Sequence, residues 1–249
     1  MTLRRSRGFF RAPVLAGLAA LTMCVVTACS EGERSGASSS GAPPNLDSPA
    51  ADVTTAQAPS RVEVPDDAPT VVFLGDSIAA GLHLAEHQAF PAVLQRRLVE
   101  RGLPFHLVSS CESGRTSAGG VTALDWVMRT EPDAVVIELG GNDGLRGIDL
   151  ADTEANLRAM IERSREEGAR VLLLGVRLPP NYGEYGQAFD ALYPRVAKEY
   201  ELAFVPYYME GVGAVPEMNL EDGLHPTAEG QEKLADNVEE ALAALIESL

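Results

Sequence analysis

The sequence has few basic residues, few aromatic residues and few cysteines. The shortage of basic residues argues against a nucleic-acid-binding protein. Lys and Arg number 20 against 36 Asp and Glu, which gives a formal net charge of −16 at pH 7. Nucleic-acid binding depends on Lys and Arg that neutralise phosphates, so this balance argues against a nucleic-acid partner. Aromatic residues make up only 6% of the chain, but 45% of the 249 residues are hydrophobic, which is enough to fill one domain of ordinary size.

The N-terminus has the layout of a secretory signal. Several arginines precede an apolar run over residues 12–28, which is short for a membrane span. The run ends in Val26-Thr27-Ala28-Cys29, which resembles a bacterial lipobox, where the cysteine is acylated. We therefore expect residues 1–28 to be a lipoprotein signal peptide and Cys29 to carry lipid. The alternative is an ordinary signal that is cleaved near Ala28.

A low-complexity segment separates this signal from the rest of the chain. Residues 29–69 consist mainly of Ser, Ala, Gly, Pro, Thr and Asp, a composition that buries too little surface to offset the entropy of ordering. We expect a disordered tether and, with the signal, an exported lipoprotein anchored to a membrane by its N-terminus. Cleavage before Cys29 would leave Cys111 as the one free thiol, so the exported domain would have no intrachain disulfide.

Residues 70–249 alternate between short apolar runs and helical patterns, which predicts one α/β domain. Apolar strands are buried on both faces, and helices between them imply parallel crossovers. The fold class is a three-layer α/β/α domain with a parallel sheet of about five strands. Strands are predicted over Thr70–Leu74, Phe105–Val108, Ala134–Leu139, Val171–Val176 and Ala203–Val205. Helices are predicted over Phe90–Arg101, Gly120–Arg129, Thr153–Glu167 and Gln187–Tyr200, with a last one capped by Thr227 and ending near Glu247.

Ligands of such sheets bind beyond the carboxyl ends of the strands, so the loops after the strands are expected to carry the chemistry. Gly75-Asp76-Ser77 follows the first strand, and a serine hydroxyl needs a nearby base to act as a nucleophile. Asp222 and His225 stand three residues apart before the last helix, a spacing that lets the carboxylate bond to one ring nitrogen while the other faces Ser77. Taken singly, each motif also fits a polar turn beside a helix.

Two further loops could stabilise negative charge. Asn142, within Gly140–Gly144 after the third strand, can offer a side-chain N–H to the oxyanion of an acyl transfer. Gly114, after the second strand, can offer a backbone N–H. A dinucleotide site is excluded for the Gly140–Gly144 loop, because its spacing is not G-x-G-x-x-G.

Together, Gly75-Asp76-Ser77, Gly114, Gly141-Asn142-Asp143 and Asp222-x-x-His225 resemble the motif blocks of the SGNH, or GDSL, hydrolase family. The strings Glu138–Gly147 and Arg177–Gly183 resemble its bacterial thioesterase I, lysophospholipase and arylesterase branch. The resemblance covers essentially the whole domain from about residue 71. One departure is the block Ser109–Glu112, where the family usually has an Asn near the start.

The resemblance implies a flavodoxin-like sheet and a serine esterase with no metal and no cofactor. Such an esterase forms an acyl-enzyme on carboxylic esters (lysophospholipid, aryl or acyl esters), and thioesters are a further candidate substrate. It implies the triad Ser77, His225 and Asp222, with oxyanion donors from Ser77, Gly114 and Asn142. It also implies an acyl groove lined by Gly144, Leu145, Leu178, Pro179 and Tyr182.

The sequence leaves several alternatives open. Other branches of the family remove acetyl groups, so a polysaccharide or small-molecule O-deacetylase is one rival function. A non-catalytic surface lipoprotein that only binds is another. An enzyme tethered outside the cytoplasm would meet lysophospholipids or lipid esters rather than acyl-CoA, which favours an esterase or lysophospholipase. The sequence does not decide whether esters or thioesters are preferred, nor what the oligomeric state is.

Overall fold

The computed structural model describes residues 62–249 of the chain. The predicted signal peptide, Cys29 and most of the predicted tether lie outside the described residues. The end of that tether, 62–69, is irregular and contains a turn in which the Ala68 N–H donates to the Pro65 carbonyl at 3.0 Å. In the described part of the chain, none of the helices is both long enough and apolar enough to cross a membrane.

Five parallel strands form one sheet in the order β2-β1-β3-β4-β5. They are β1 Thr70–Gly75, β2 His106–Cys111, β3 Ala134–Glu138, β4 Arg170–Leu174 and β5 Ala203–Val205. The chain leaves β1 towards β2 on one side and returns to place β3 on the other side of β1. This is the flavodoxin-like order, with the switch of direction between β1 and β3, where ligands of such sheets bind.

Helices flank the sheet in two groups. The helices are α1 Phe90–Glu100, α2 Ser117–Met128, α3 Gly141–Leu145, α4 Leu150–Glu166, α5 Gly183–Glu199 and α6 Ala228–Ile246. The first group is α1 packed on α6, and the second is α4 packed on both α2 and α5. The central strands are fully buried between the groups, as their uninterrupted apolar sequences Val71–Leu74 and Ala134–Ile137 require. The predicted three-layer fold with a five-stranded parallel sheet is confirmed.

The helix boundaries differ from those predicted, mainly at N-termini. α2 begins at Ser117 instead of Gly120, and α4 at Leu150 instead of Thr153. Side-chain caps account for both changes, because Thr116 accepts from the Gly119 N–H at 3.3 Å and Asp149 from the Ala151 N–H at 2.8 Å. Cap residues stabilise turns that precede the first apolar position, so apolar periodicity alone places these starts too late.

Two more differences concern the loops after the strands. The short helix α3 occupies part of the block Gly140–Gly144 that the sequence predicts to be a loop. α5 starts at Gly183 rather than at Gln187, because a 3-10 turn over Pro180–Tyr182 runs directly into it. Thr227 caps α6 as predicted, with its hydroxyl accepting from the Gly230 N–H at 3.1 Å.

Candidate active site

Three side chains from two distant loops form a hydrogen-bonded row at the carboxyl ends of the strands. His225 Nε2 lies 2.9 Å from Ser77 Oγ, and His225 Nδ1 lies 2.6 Å from Asp222 Oδ2. The structure thus brings together the three residues that the sequence singles out as nucleophile, base and carboxylate. In such a row the carboxylate fixes the imidazole tautomer, and the imidazole can take the proton of the hydroxyl.

The loop that carries the histidine is organised by its own carboxylate. Asp222 Oδ1 accepts from the N–H groups of Leu224 and His225, both at 2.9 Å. The backbone N–H of His225, its side chain and the Leu224 N–H hold the pKa of Asp222 well below its usual value. At the base of the loop, the Leu220 N–H donates to the His225 carbonyl at 2.7 Å. Asp222 therefore stays ionised across the physiological range while it faces His225.

The turn that carries Ser77 is held by buried groups on both sides. Gln231 of α6 donates from Nε2 to the Ile78 carbonyl at 2.9 Å and accepts the Phe90 N–H at 2.8 Å. A side chain at Gly75 would place its Cβ only 2.6 Å from Glu138 Oε2, so the end of β1 must be a glycine. Ser77 itself is only 7% exposed, and its hydroxyl faces the imidazole of His225.

Three N–H groups after the carboxyl ends of β1, β2 and β3 are available as donors. Within residues 62–249, the backbone N–H groups of Ser77 and Gly114 donate to no protein acceptor. Asn142 uses one amide hydrogen on Asp76 Oδ2 at 3.0 Å and has a second one. Free donors fixed in place are what an oxyanion needs, because they stabilise developing charge without rearrangement. Gly114 has φ +78°, a left-handed conformation that favours glycine.

A buried pair of acids lies behind the nucleophile, and sequence reasoning missed the role of one of them. Glu138 is 1% exposed and Asp76 4% exposed. Glu138 Oε2 accepts the Asp76 N–H at 3.0 Å, and the hydroxyl of buried Tyr208 donates to Glu138 Oε1. Burial raises the pKa of Asp76 to about 6 and that of Glu138 well above its usual value. The signal in the sequence is a single acid that ends an otherwise apolar strand.

This pair makes stability depend on pH in a direction that a variant can test. A folded-state pKa above the unfolded one means that the folded protein holds more protons, so the contribution of these acids falls as pH rises from about 4 through 6 and beyond. In Glu138→Gln the amide can still accept from Asp76 and donate to Tyr208, but it carries no charge. We expect its free energy of unfolding relative to that of the parent to be higher at pH 8 than at pH 5 by about 1 kcal/mol, because only the parent has a buried Glu138 charge to form as pH rises.

Thermal or denaturant unfolding at the two pH values measures this difference. Glu166→Gln is the matched control, because Glu166 is exposed near the end of α4. A stability gain for Glu138→Gln that is larger at pH 5 than at pH 8 would contradict the assigned direction.

A pocket of about 360 Å³ opens beside Ser77 and Asn142. Its wall is mainly apolar and includes the predicted groove residues Leu145, Leu178 and Pro179, together with Val176, Pro180 and Leu224. Leu145 and Leu224 remain 38% and 43% exposed.

The remaining two predicted groove residues lie outside this wall. Gly144 packs behind Leu178, where an added Cβ would come within 2.6 Å of the leucine side chain. The Tyr182 hydroxyl donates to the Leu145 carbonyl at 3.1 Å. Both residues therefore contact groove residues without lining the pocket themselves.

Cys111 and His83 take no part in the hydrogen-bonded row of Ser77, His225 and Asp222. Burial raises the pKa of the Cys111 thiol to about 12, so it is no rival nucleophile. The ring of His83 lies edge-on to that of His225, with 6.1 Å between centroids, and makes no hydrogen bond to it. Over residues 62–249, no group of three His, Cys, Asp or Glu side chains is placed to hold a metal ion.

The chain is similar to known proteins in both sequence and structure. Residues 73–233 match the model of the GDSL-like lipase/acylhydrolase family. Esterase TesA of Pseudomonas aeruginosa is 46% identical over 181 residues, which cover 72% of this chain and 90% of that protein. Thioesterase 1/protease 1/lysophospholipase L1 of Escherichia coli is 37% identical over 181 residues, 72% of this chain and 86% of that protein. A crystal structure of TesA, 46% identical, matches with a TM-score of 0.68 over 71% of this chain and 99% of that one.

Proposed function

Because this chain belongs to the GDSL-like lipase/acylhydrolase family, we propose that Ser77, His225 and Asp222 are the catalytic triad of its reaction. The chain is a serine ester hydrolase, as its resemblance to SGNH hydrolases implies. One observation supports the assignment most directly. It is the 2.9 Å contact between Ser77 Oγ and His225 Nε2, with Asp222 bound to the opposite nitrogen of the ring.

The reaction has two steps. Ser77 Oγ bonds to the acyl carbon while its proton moves to His225 Nε2, and the carbonyl oxygen becomes an oxyanion. When the carbonyl re-forms, the bond to the leaving group breaks and His225 gives its proton to that oxygen or sulfur. A water molecule then attacks the acyl-enzyme with His225 as base, and the acid leaves as Ser77 regains its proton. The N–H groups of Ser77, Gly114 and Asn142 are the donors to the oxyanion.

For the substrate we propose esters of medium or long acyl chains, lysophospholipids among them. The pocket beside Ser77 has more room than an acetyl group needs, and leucines and prolines form much of its wall. Each methylene buried against such a wall contributes up to about 0.8 kcal/mol. Two relatives carry matching names, since one is called an esterase and the other a thioesterase and lysophospholipase.

A series of p-nitrophenyl esters tests this substrate class. We expect kcat/KM for the octanoyl ester to exceed that for the acetyl ester by about tenfold or more, because several methylenes enter the apolar pocket. A preference for acetate would favour the O-deacetylase function instead. Failure to hydrolyse any ester, with the fold intact, would favour a protein that only binds.

One basic side chain in the pocket wall fits the phosphate of a lysophospholipid. The Arg177 guanidinium lies 4.9 Å from the centre of the Tyr207 ring, and no carboxylate of residues 62–249 forms an ion pair with it. We expect Arg177→Gln to lower kcat/KM about tenfold for lysophosphatidate, because a charge-assisted hydrogen bond is lost. Monoacylglycerol with the same acyl chain is the control substrate and should change less than twofold. Equal losses on both substrates would assign Arg177 to packing alone.

We also propose that the enzyme is exported and held at a membrane surface through lipid on Cys29. The string Val26–Cys29 and the polar composition of 29–69 support this anchor. Mass spectrometry of the mature N-terminus tests it. A diacylglyceryl-modified Cys29 is the expected result, and an unmodified terminus at any other residue would exclude the anchor.

A further inference from the structure

The side-chain amide of Asn142 can serve an oxyanion in only one of its two orientations. With nitrogen towards the site it offers an N–H, whereas after a half-turn it would offer a carbonyl oxygen and repel the developing charge. Without hydrogen-bonding partners that distinguish its oxygen from its nitrogen, the amide of Asn142 would have little preference between the two orientations. What fixes this orientation therefore decides whether Asn142 helps or opposes the reaction.

On its nitrogen side, Asn142 meets a group that can only accept. Asp76 Oδ2 takes a hydrogen bond from Asn142 Nδ2 at 3.0 Å, and Asp76 Oδ1 is occupied by the Ile78 N–H at 2.9 Å. Asp76 is 4% exposed, so little water competes for its oxygens. Above its raised pKa of about 6, the Asp76 carboxylate is ionised and has no hydrogen to donate, so the flipped amide would place two oxygen acceptors against each other.

On its oxygen side, Asn142 meets a group that can only donate. Arg146 stands four residues later, at the C-terminal end of α3, so its side chain lies on the same face. Arg146 Nη2 donates to Asn142 Oδ1 at 3.3 Å and to the Gly114 carbonyl at 3.1 Å. A guanidinium accepts no hydrogen bond, so it enforces the same orientation as Asp76. The second bond also ties the Gly114 loop to Asn142.

We propose that Arg146 and Asp76 are positioning residues that hold Asn142 with its N–H towards the oxyanion, and that Arg146 also keeps Gly114 aligned with it. The inference rests on the proposed role of Asn142 as an oxyanion donor. Neither residue touches the reacting atoms. Their effect on turnover is transmitted largely through the orientation of one amide.

A double-mutant cycle on kcat tests this coupling with a p-nitrophenyl ester. Loss of an oxyanion donor costs about 10²- to 10³-fold, so Asn142→Ala should lower kcat by about that factor. Arg146→Met keeps the aliphatic stem and removes the donors, and we expect kcat to fall about tenfold with KM changed less than twofold. In the Asn142→Ala background the same substitution should cost less than about threefold, because the amide it orients is gone.

Three further variants sharpen the result. Arg146→Lys keeps a donor and should recover part of the loss, and it replaces Arg146→Met if that variant does not fold. Arg129→Met is the matched control, because Arg129 is an exposed arginine at the end of α2 and should leave kcat unchanged. Asp76→Asn should lower kcat in the parent and much less in the Asn142→Ala background.

The cycle separates the inference from the proposed function. If Arg146→Met costs the same factor with and without Asn142, Arg146 does not act through that amide and the inference is wrong. If Asn142→Ala alone leaves kcat unchanged, both the oxyanion role of Asn142 and the inference that rests on it fail. If instead Ser77→Ala is fully active, the proposed catalytic triad fails. Melting temperatures of all variants check that each fold is intact.

Discussion

Ser77→Ala is expected to lower kcat/KM for a p-nitrophenyl ester by at least about 10⁴-fold. Among residues 62–249, this is the one hydroxyl that hydrogen-bonds to His225 Nε2, at 2.9 Å, and the proposed acyl-enzyme cannot form without it. Loss of the nucleophile in a serine hydrolase leaves only the contribution of the oxyanion donors and of binding, which is small by comparison. Steady-state kinetics of the purified variant, with its melting temperature measured alongside, give the result.

A serine far from the proposed site serves as the control for effects of substitution and purification that do not involve the nucleophile. Ser248 is exposed at the C-terminal end of the chain, and Ser248→Ala should retain the parent rate. Ser77→Ala protein that hydrolyses the ester as fast as the parent would exclude Ser77 as nucleophile.

The second large effect is expected at the base. His225→Ala should cost kcat/KM about 10⁴-fold, because no other side chain of residues 62–249 hydrogen-bonds to the Ser77 hydroxyl. Asp222→Asn should cost less, about 10²-fold. The side chain of Asp222 is 42% exposed, so water can replace part of its bond to the imidazole, whereas a buried triad carboxylate has no such substitute.

The order of these two effects is itself informative. It follows from the 14% exposure of the His225 side chain against 42% for Asp222. Rates for both variants at several pH values, on one batch of ester, measure the order. If Asp222→Asn lowers kcat/KM as much as His225→Ala does, water does not replace the hydrogen bond from Asp222 to the imidazole, and the expected order is wrong.

The sheet was predictable because its central strands have sequences that are apolar throughout, as strands buried on both faces do. Val71–Leu74 and Ala134–Ile137 are uninterrupted apolar runs, and only a two-sided buried position explains such runs between helices. The predicted strand ends also placed Ser77, Gly114 and Asn142 in loops at one edge of the sheet. The structure brings these loops together through the order β2-β1-β3, in which β1 is flanked by the other two strands.

The missed features depend on contacts between distant positions or on weak local propensity. α3 contains two glycines in five residues and follows Gly140 at φ 109°, so its helix forms against propensity and through packing. The link from Arg146 to Gly114 spans 32 positions, and no pattern in the sequence connects them. Glu138 was visible only as one acid at the end of an apolar strand, and its partner Tyr208 lies 70 positions away.

Reaction with a fluorophosphonate probe, followed by peptide mapping, tests the central claim most directly. The probe bonds to a serine that is activated by a base beside an oxyanion site, and the proposed geometry has one such serine. We expect a single adduct on the peptide that contains Ser77, formed quickly in the parent and lost in His225→Ala. An adduct on another residue, or full ester hydrolysis by protein that the probe never labels, would contradict the account.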